Sequence, residues 1–263
     1  MKLSHLRVLS VDWDWIFCDT DEYDWGHSED KAFFYDILWA TRAGSVGMTN
    51  KKRAIDHVLP EERLNGFWKR TLDGHPMFLA IVDSHKDLYT WLKANKVSQA
   101  DVVNFDAHHD LGYDNEIGFD YKKVKPPLNC GNWARLGLVK KLIKSYRVVY
   151  PPWRAKNPED KPDVDAQISV EAPPKDAYDI VFICRSSCWT PSWCDDKWLA
   201  FISYFKQWPW LWDAKCFAPF VLKERKCNMA EALKQAEDWG KMLAQMMANK
   251  ARNADYEKLK AAF

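Results

Sequence analysis

The 263-residue sequence carries no charge excess, no paired-cysteine motif and no long apolar run. Each absence removes a class of function. Lys and Arg number 38 against 37 Asp and Glu, so no global charge marks nucleic acid or an anionic membrane as a partner. Basic pairs such as Lys122-Lys123 and Lys140-Lys141 are short and read as solvated faces. No apolar stretch approaches the roughly 20 residues of a membrane span, and "MKLSHLRVLS" lacks the apolar core of a signal peptide. The expectation is a soluble, cytoplasmic protein acting on a small molecule; a homo-oligomer stays open. The seven cysteines are scattered without a CxxC pair, which argues against a zinc ribbon or a dithiol redox motif and predicts reduced, mostly buried thiols. With neither an internal repeat nor a domain linker, one domain over 1–263 is expected, long enough to bury a substantial core.

What is present is an alternation of short apolar strands and helical stretches, the pattern of a three-layer α/β/α fold on a mainly parallel sheet. Strands are predicted at 6–17, 77–83, 101–106, 147–152 and 178–184. Helices are predicted at 29–44, ending at Gly44, at 60–72, opening on Pro60, at 86–95 and at 131–146. The Pro- and charge-rich stretch 153–176 reads as a surface insertion. A C-terminal helix over 228–260 is capped by Asn228, with Glu231 at the capping-box position and Leu233, Ala236, Leu243, Met246 and Met247 at helical spacing. Fifteen tryptophans must fill core, line a pocket or form an interface.

The chemistry concentrates in "VVNFDAHHDLGYDN", residues 102–115, where two aspartates and two histidines follow an apolar strand within five positions. On an extended segment Asp106, His108 and Asp110 share one side while Ala107 and His109 take the other. Two carboxylates and an imidazole on one side suit Mn²⁺, Fe²⁺ or Zn²⁺. A solvated polar loop is the plain alternative. Two further segments favour a metal. Asp12 and Asp14 alternate onto one face of "LSVDWDWIF", and two unpaired buried carboxylates would be very costly. "FLAIVDSHKD" ends a third strand with Asp83, His85 and Asp87. In parallel sheets ligands gather where strands reach their carboxyl ends, and all three segments deliver their residues there.

"FDAHHD" resembles the D-A-H-x-D motif of the arginase/agmatinase (ureohydrolase) superfamily, whose distant relatives include the histone deacetylases. That family carries a metal-binding histidine about twenty residues upstream, and His85 precedes Asp106 by 21. Its second motif, S-x-D-x-D, is matched by Ser10-Val11-Asp12-Trp13-Asp14. The resemblance implies two divalent ions, Mn²⁺ foremost, bridged by Asp106 and Asp12. His85 and Asp110 would complete one site, His108 and Asp14 the other. It also implies hydrolysis of a C–N bond in a guanidino, amidine or amide substrate, with a hydroxide between the ions as nucleophile and Asp106 and His108 at the reacting centre. In ureohydrolases S-x-D-x-D follows D-A-H-x-D, so the reversed order here implies a circular permutation. After Asp110 the chain reads "LGYDNE" in place of the family's amino-acid-binding pattern, so the likeness carries the metal site rather than the substrate site. The whole chain is similar to arginase-like proteins of bacterial and phage type.

For the proton shuttle His109 is nearest, although alternation turns it toward a core role; His75 and Asp114 are weaker candidates. Substrate contacts are expected from Asn129, Asn132 and Trp133, ahead of a helix N-terminus, and from Arg185, Ser186 and Ser187 in "ICRSSCWTP". An ion pair with a nearby aspartate is the equal alternative for Arg185. Trp189 and Trp193 could wall a pocket, with core packing as the plainer role. Three rival readings stand. Asp12 and Asp14 have the D-x-D spacing of a haloacid-dehalogenase phosphatase, with Asp12 as nucleophile. An arginase-like scaffold could bind without turnover. A deacetylase-like site would hold one Zn²⁺.

Overall fold

The computed structural model describes residues 5–17, 59–113, 126–156, 158–159, 162–212 and 217–219, with single helical positions between 234 and 249. Seven strands form one sheet: β1 (Arg7–Asp12), β2 (Phe78–Val82), β3 (Ala100–Phe105), β4 (Ile143–Val149), β5 (Gln167–Ser169), β6 (Ile180–Cys184) and β7 (Phe217–Pro219). Their order is β5-β4-β3-β1-β6-β2-β7, and every ladder is parallel. The central strands are apolar on both faces because both are covered. Leu9 and Val11 of β1, Leu79 and Ile81 of β2, and Val181 and Ile183 of β6 face one core. Val8, Ala80, Val82, Ile180 and Phe182, one residue out of phase, face the other.

Short helices close both faces. α1 (Glu61–Leu64) and α2 (Phe67–Thr71) lie on the first side with α5 (Asp195–Ile202), where Phe67, Trp68, Trp198 and Phe201 pack on the sheet. α3 (Lys86–Ala94) and α4 (Trp133–Val139) cover the second through Leu88, Leu92, Trp133 and Ala134. The fold is therefore the expected three-layer α/β/α sandwich. Many of the tryptophans are core: Trp13, Trp133 and Trp198 are among the largest fully buried side chains. Trp13 meets Trp198 edge-on at 5.4 Å, the geometry that aromatic quadrupoles favour. No helix among the described residues is long and apolar enough to cross a membrane.

Several boundaries differ from the sequence reading, each for a local reason. β1 stops at Asp12 because that side chain accepts from Asp14 N at 3.0 Å, capping a 3₁₀ turn over Trp13–Ile16. The helix predicted at 60–72 is broken by Gly66, which adopts φ 71°. The one predicted at 131–146 ends at Val139, and β4 starts at Ile143, since Lys141 takes the left-handed region and Leu142 N bonds back to Gly137 O at 2.9 Å. Within 153–176 the chain is partly built into the domain: Arg154 is buried and β5 extends the sheet edge. The predicted helix at 29–44 lies outside the described residues. So does most of 228–260, whose described positions are helical.

Candidate metal centre

Parallel pairing brings the strand ends to one sheet edge. Asp12, Cys184 and Val82 share a row across β1, β6 and β2, and Phe105 sits beside Val11, so Asp106 leaves β3 next to Asp12. His85 arrives three residues past β2, at the N-cap of α3. The loop after β3 is not extended: Asp110 turns at φ 56°, a conformation that costs a non-glycine residue energy and clusters at functional sites. Asp106, His108 and Asp110 thus converge through a compact loop, not through strand alternation, and Asp14 is delivered by the 3₁₀ turn.

The donors form two groups. In the first, His85 Nδ1 lies 3.1 Å from Asp12 Oδ2, 2.9 Å from Asp106 Oδ2 and 3.3 Å from Asp110 Oδ2. None is aligned for a hydrogen bond with it, so this buried nitrogen has no hydrogen-bond partner. In the second, His108 Nδ1 lies 3.0 Å from Asp14 Oδ2 and 3.6 Å from Asp106 Oδ1. Asp14 Oδ2 is likewise buried without a hydrogen-bond partner. Donors bound at about 2.1 Å to one divalent ion stand about 3.0 Å apart at octahedral angles and about 3.4 Å at tetrahedral ones. The three spacings at His85 and the His108–Asp14 spacing lie at or near that range, with His108–Asp106 at 3.6 Å just above it, and a cation rather than a proton suits one nitrogen shared by three carboxylates. Asp106 belongs to both groups, one oxygen in each.

Electrostatics describe the same crowding. Burial, then the charges of Asp12 and Asp106, push the Asp14 carboxyl well up. Burial and Asp106 push Asp110 up to about 7. Burial would also raise Asp106, but contact with His108 and His85 reverses this and holds it well below the usual carboxylate range. Burial disfavours charge on His85 and His108, yet their carboxylate neighbours outweigh it and raise both well above an ordinary imidazole. Burial keeps the Cys184 thiol neutral, and nearby Asp12 adds to the effect.

A shell of hydrogen bonds orients the donors, as is usual around metal ligands. Ser10 Oγ meets His85 Nε2 at 2.7 Å, and Asn104 Nδ2 donates to Asp106 Oδ2 and to Tyr146 Oη, both at 2.9 Å. Trp133 Nε1 donates to Asp110 Oδ2 at 2.5 Å, with its ring 4.8 Å from His85. Ser186 Oγ donates to Asp12 Oδ2 at 2.5 Å, and Ala107 N to Asp14 Oδ1 at 3.2 Å. Ser186, like Asp110, is held at a positive φ.

All six expected metal donors, Asp12, Asp14, His85, Asp106, His108 and Asp110, are therefore brought together. The other expected site residues take different parts. His109 joins neither group: its Nδ1 accepts from Leu111 N at 3.0 Å and its ring stacks on Tyr113 at 4.5 Å. Asn132 is a loop staple, donating to Pro127 O at 3.0 Å and accepting from Asn129 N at 2.9 Å. Trp133 and Ser186 donate hydrogen bonds to Asp110 and Asp12, two of the candidate donors. Arg185 pairs with Asp83 at 2.9 Å and Asp195 at 3.4 Å. Trp189 packs on His108 at 4.6 Å, while Trp193 is buried in the core. His75 lies against Trp208 and Trp210, and Asp114 lies outside the described residues.

Sequence reasoning missed Cys184, whose sulfur groups with Asp12 and His85; its signal was its place at the end of an apolar strand. It also missed Glu159. That carboxylate accepts from His109 N and Tyr150 Oη, each at 2.8 Å, while Arg154 Nε donates to Ala107 O at 2.7 Å. Together they brace the loop after β3, and nothing in a Pro- and charge-rich stretch announces it.

The fold and site define a three-layer α/β chain with buried Asp/His clusters able to hold metal ions. No protein-family model, no curated protein and no solved structure matches the chain.

Proposed function

We propose that the chain is a metal-dependent hydrolase of arginase/agmatinase type, cleaving a C–N bond in a guanidino, amidine or amide substrate. Two divalent ions would be held, one by His85, Asp12, Asp106 and Asp110, the other by His108, Asp14 and Asp106. The observation that carries the reading is the division of the Asp106 carboxylate, with Oδ2 beside His85 and Oδ1 beside His108. Carboxylate-rich donors with imidazole suit Mn²⁺, and accommodate Fe²⁺ or Zn²⁺. When bound, such ions supply Lewis acidity and lower the pKa of coordinated water from about 15.7 toward roughly 7.

The chain's own residues do the positioning. Ser10 fixes the His85 ring, Asn104 fixes Asp106, and Trp133 fixes Asp110. His108 is the most open donor, with a side chain 12% exposed against 0–7% for the other five. A substrate would arrive on its side, past Trp189. The same burial favours a second reading, a metal-holding scaffold without turnover.

The test is elemental analysis of protein purified without chelator, followed by a hydrolysis screen of guanidino, amidine, acylated-amine and phosphomonoester compounds. About two Mn, Fe or Zn per chain, lost in Asp106→Asn together with C–N hydrolysis, is the expected result. Metal without turnover would favour the scaffold. Phosphatase activity that survives in Asp106→Asn and dies in Asp12→Asn would point to the haloacid-dehalogenase chemistry. Absence of transition metal even after reconstitution refutes the proposal.

A further inference from the structure

Cys184 is a potential donor at this site that neither motif contains and that the upstream histidine does not account for. It ends β6 in register with Asp12 on β1, and it lies on the same sheet face as Val82 and Phe182, fully buried. Its sulfur, a carboxylate oxygen of Asp12 and a ring nitrogen of His85 lie within 4.8 Å of one another. Donors on opposite sides of one ion, sulfur at about 2.3 Å and nitrogen at about 2.1 Å, stand about 4.4 Å apart. The sulfur thus lies close enough to the other two donors to approach one shared coordination shell. The second observation is His85 Nδ1, a buried nitrogen with no hydrogen-bond partner, surrounded by carboxylate oxygens. The sulfur meets Ser186 through its Oγ, at 3.5 Å, and through its backbone N–H, weak contacts that leave room for coordination.

Building on the metal-centre reading, we propose that Cys184 is a sulfur ligand to the ion held by His85, giving that site a preference for Zn²⁺ or Fe²⁺ over Mn²⁺. Carboxylate oxygens are hard donors that suit Mn²⁺, whereas a thiolate is soft and selects Zn²⁺ and iron. A single sulfur at one of two otherwise oxygen- and imidazole-lined positions makes the pair unequal. The His85 position becomes the thiophilic one, and the position of His108, Asp14 and Asp106 remains the harder one. Coordination releases the thiol proton to solvent, so metal uptake at this position is accompanied by loss of S–H.

Cobalt(II) reports on the ligand directly, without any need for turnover. Wild-type apoprotein loaded with Co²⁺ is expected to show both visible d–d bands and a near-ultraviolet sulfur-to-cobalt charge-transfer band. Cys184→Ser and Cys184→Ala should keep the visible bands and lose the ultraviolet one. In competition titrations both variants should lose at least about tenfold in Zn²⁺ affinity relative to Mn²⁺. A wild-type cobalt spectrum with d–d bands and no charge-transfer band overturns the assignment, and needs no variant to fold. A charge-transfer band that survives in Cys184→Ser overturns it too, because another thiol would be the donor. Failure of the wild type to bind cobalt, zinc or manganese at all defeats the metal centre itself, a result distinct from the other two.

Discussion

Asn104 offers the sharpest separation between a residue that serves the fold and one that serves the metal centre. It is fully buried on β3, and its amide donates to Asp106 Oδ2 and Tyr146 Oη, each at 2.9 Å. Asn104→Leu keeps the volume and removes both bonds. The bond to Asp106 orients the carboxylate shared by the two donor groups, and loss of such a partner costs about 10–100-fold in metal affinity, or about 1.4–2.8 kcal/mol. The metal-free fold should respond differently. Asn104 Oδ1 is buried without a partner, and removing an unsatisfied polar atom recovers part of a penalty of about 1–3 kcal/mol. That gain offsets the lost bonds. The assay is a Zn²⁺ competition titration paired with thermal unfolding, with and without chelator. The stabilisation conferred by saturating metal should shrink by about 3–11 °C, at about 2–4 °C per kcal/mol. The metal-free midpoint should move little. Unchanged zinc affinity, together with equal falls in both midpoints, would refute the reasoning and leave Asn104 as an ordinary core residue.

Trp133→Phe removes the indole N–H from Asp110 while keeping an aromatic ring in the core. Zinc affinity should fall about tenfold in the same titration, and wild-type affinity would mean that Asp110 is not a donor. Without metal, His85, His108, Asp14 and Asp110 all hold protons more tightly than the unfolded chain does, Asp110 with a pKa of about 7. These protons stabilise the apoprotein at low pH, and the benefit is lost as pH rises through the folded values. Metal must displace the same protons. Uptake at pH 7 should therefore release protons into weak buffer, and the gap in melting temperature between loaded and chelated protein should widen from pH 6 to 8. A gap that narrows would reverse the sign and exclude these groups as ligands. Gly137→Ala places a Cβ 2.5 Å from Ile143 Cδ1 and 2.9 Å from its Cγ1. Overpacking of about 1–3 kcal/mol should exceed the helix-propensity gain and lower the urea midpoint; an unchanged midpoint would show that Ile143 moves freely.

The legible part of this protein was the part encoded in residue type. Runs such as "VVNF" and "FLAIV" announce covered strands, and Asp and His clustered at their ends announce a polar function, because burying unpaired carboxylates is so costly. The six candidate donors follow from that logic, although the loop after β3 presents Asp106, His108 and Asp110 through a compact turn and not through alternation along an extended strand. What stayed hidden depends on backbone turns without glycine. Lys141 and Asp110 both take left-handed conformations; lysine gives no sign of it and aspartate only a weak one, so the end of α4 and the shape of the donor loop do not follow from residue type. The parts taken by Arg185, Asn132 and Trp133 were open for another reason: Arg185 takes the ion-pair alternative, and Asn132 and Trp133 bond to neighbouring protein groups. A polar group near a site looks alike in sequence whether it faces a substrate or a neighbouring carboxylate, and only packing decides. Cys184 belongs to no CxxC pair, so its residue type alone reads as a buried thiol.

The donors come from segments far apart in the chain: Asp12 and Asp14, then His85, then the run from Asp106 to Asp110, with Cys184 later still. Only that run is local, and its three donors are divided between the two groups, Asp110 in one, His108 in the other and Asp106 in both. The others meet only once β1 lies between β3 and β6, pairings of high sequence separation that form slowly because distant loops must close first. An ion would therefore find its full affinity late, after the centre of the sheet is assembled. Metal uptake during refolding would act as a clock for completion of the sheet, lagging behind helix formation, and a chelator would leave the early steps untouched while depriving the finished sheet of its final lock.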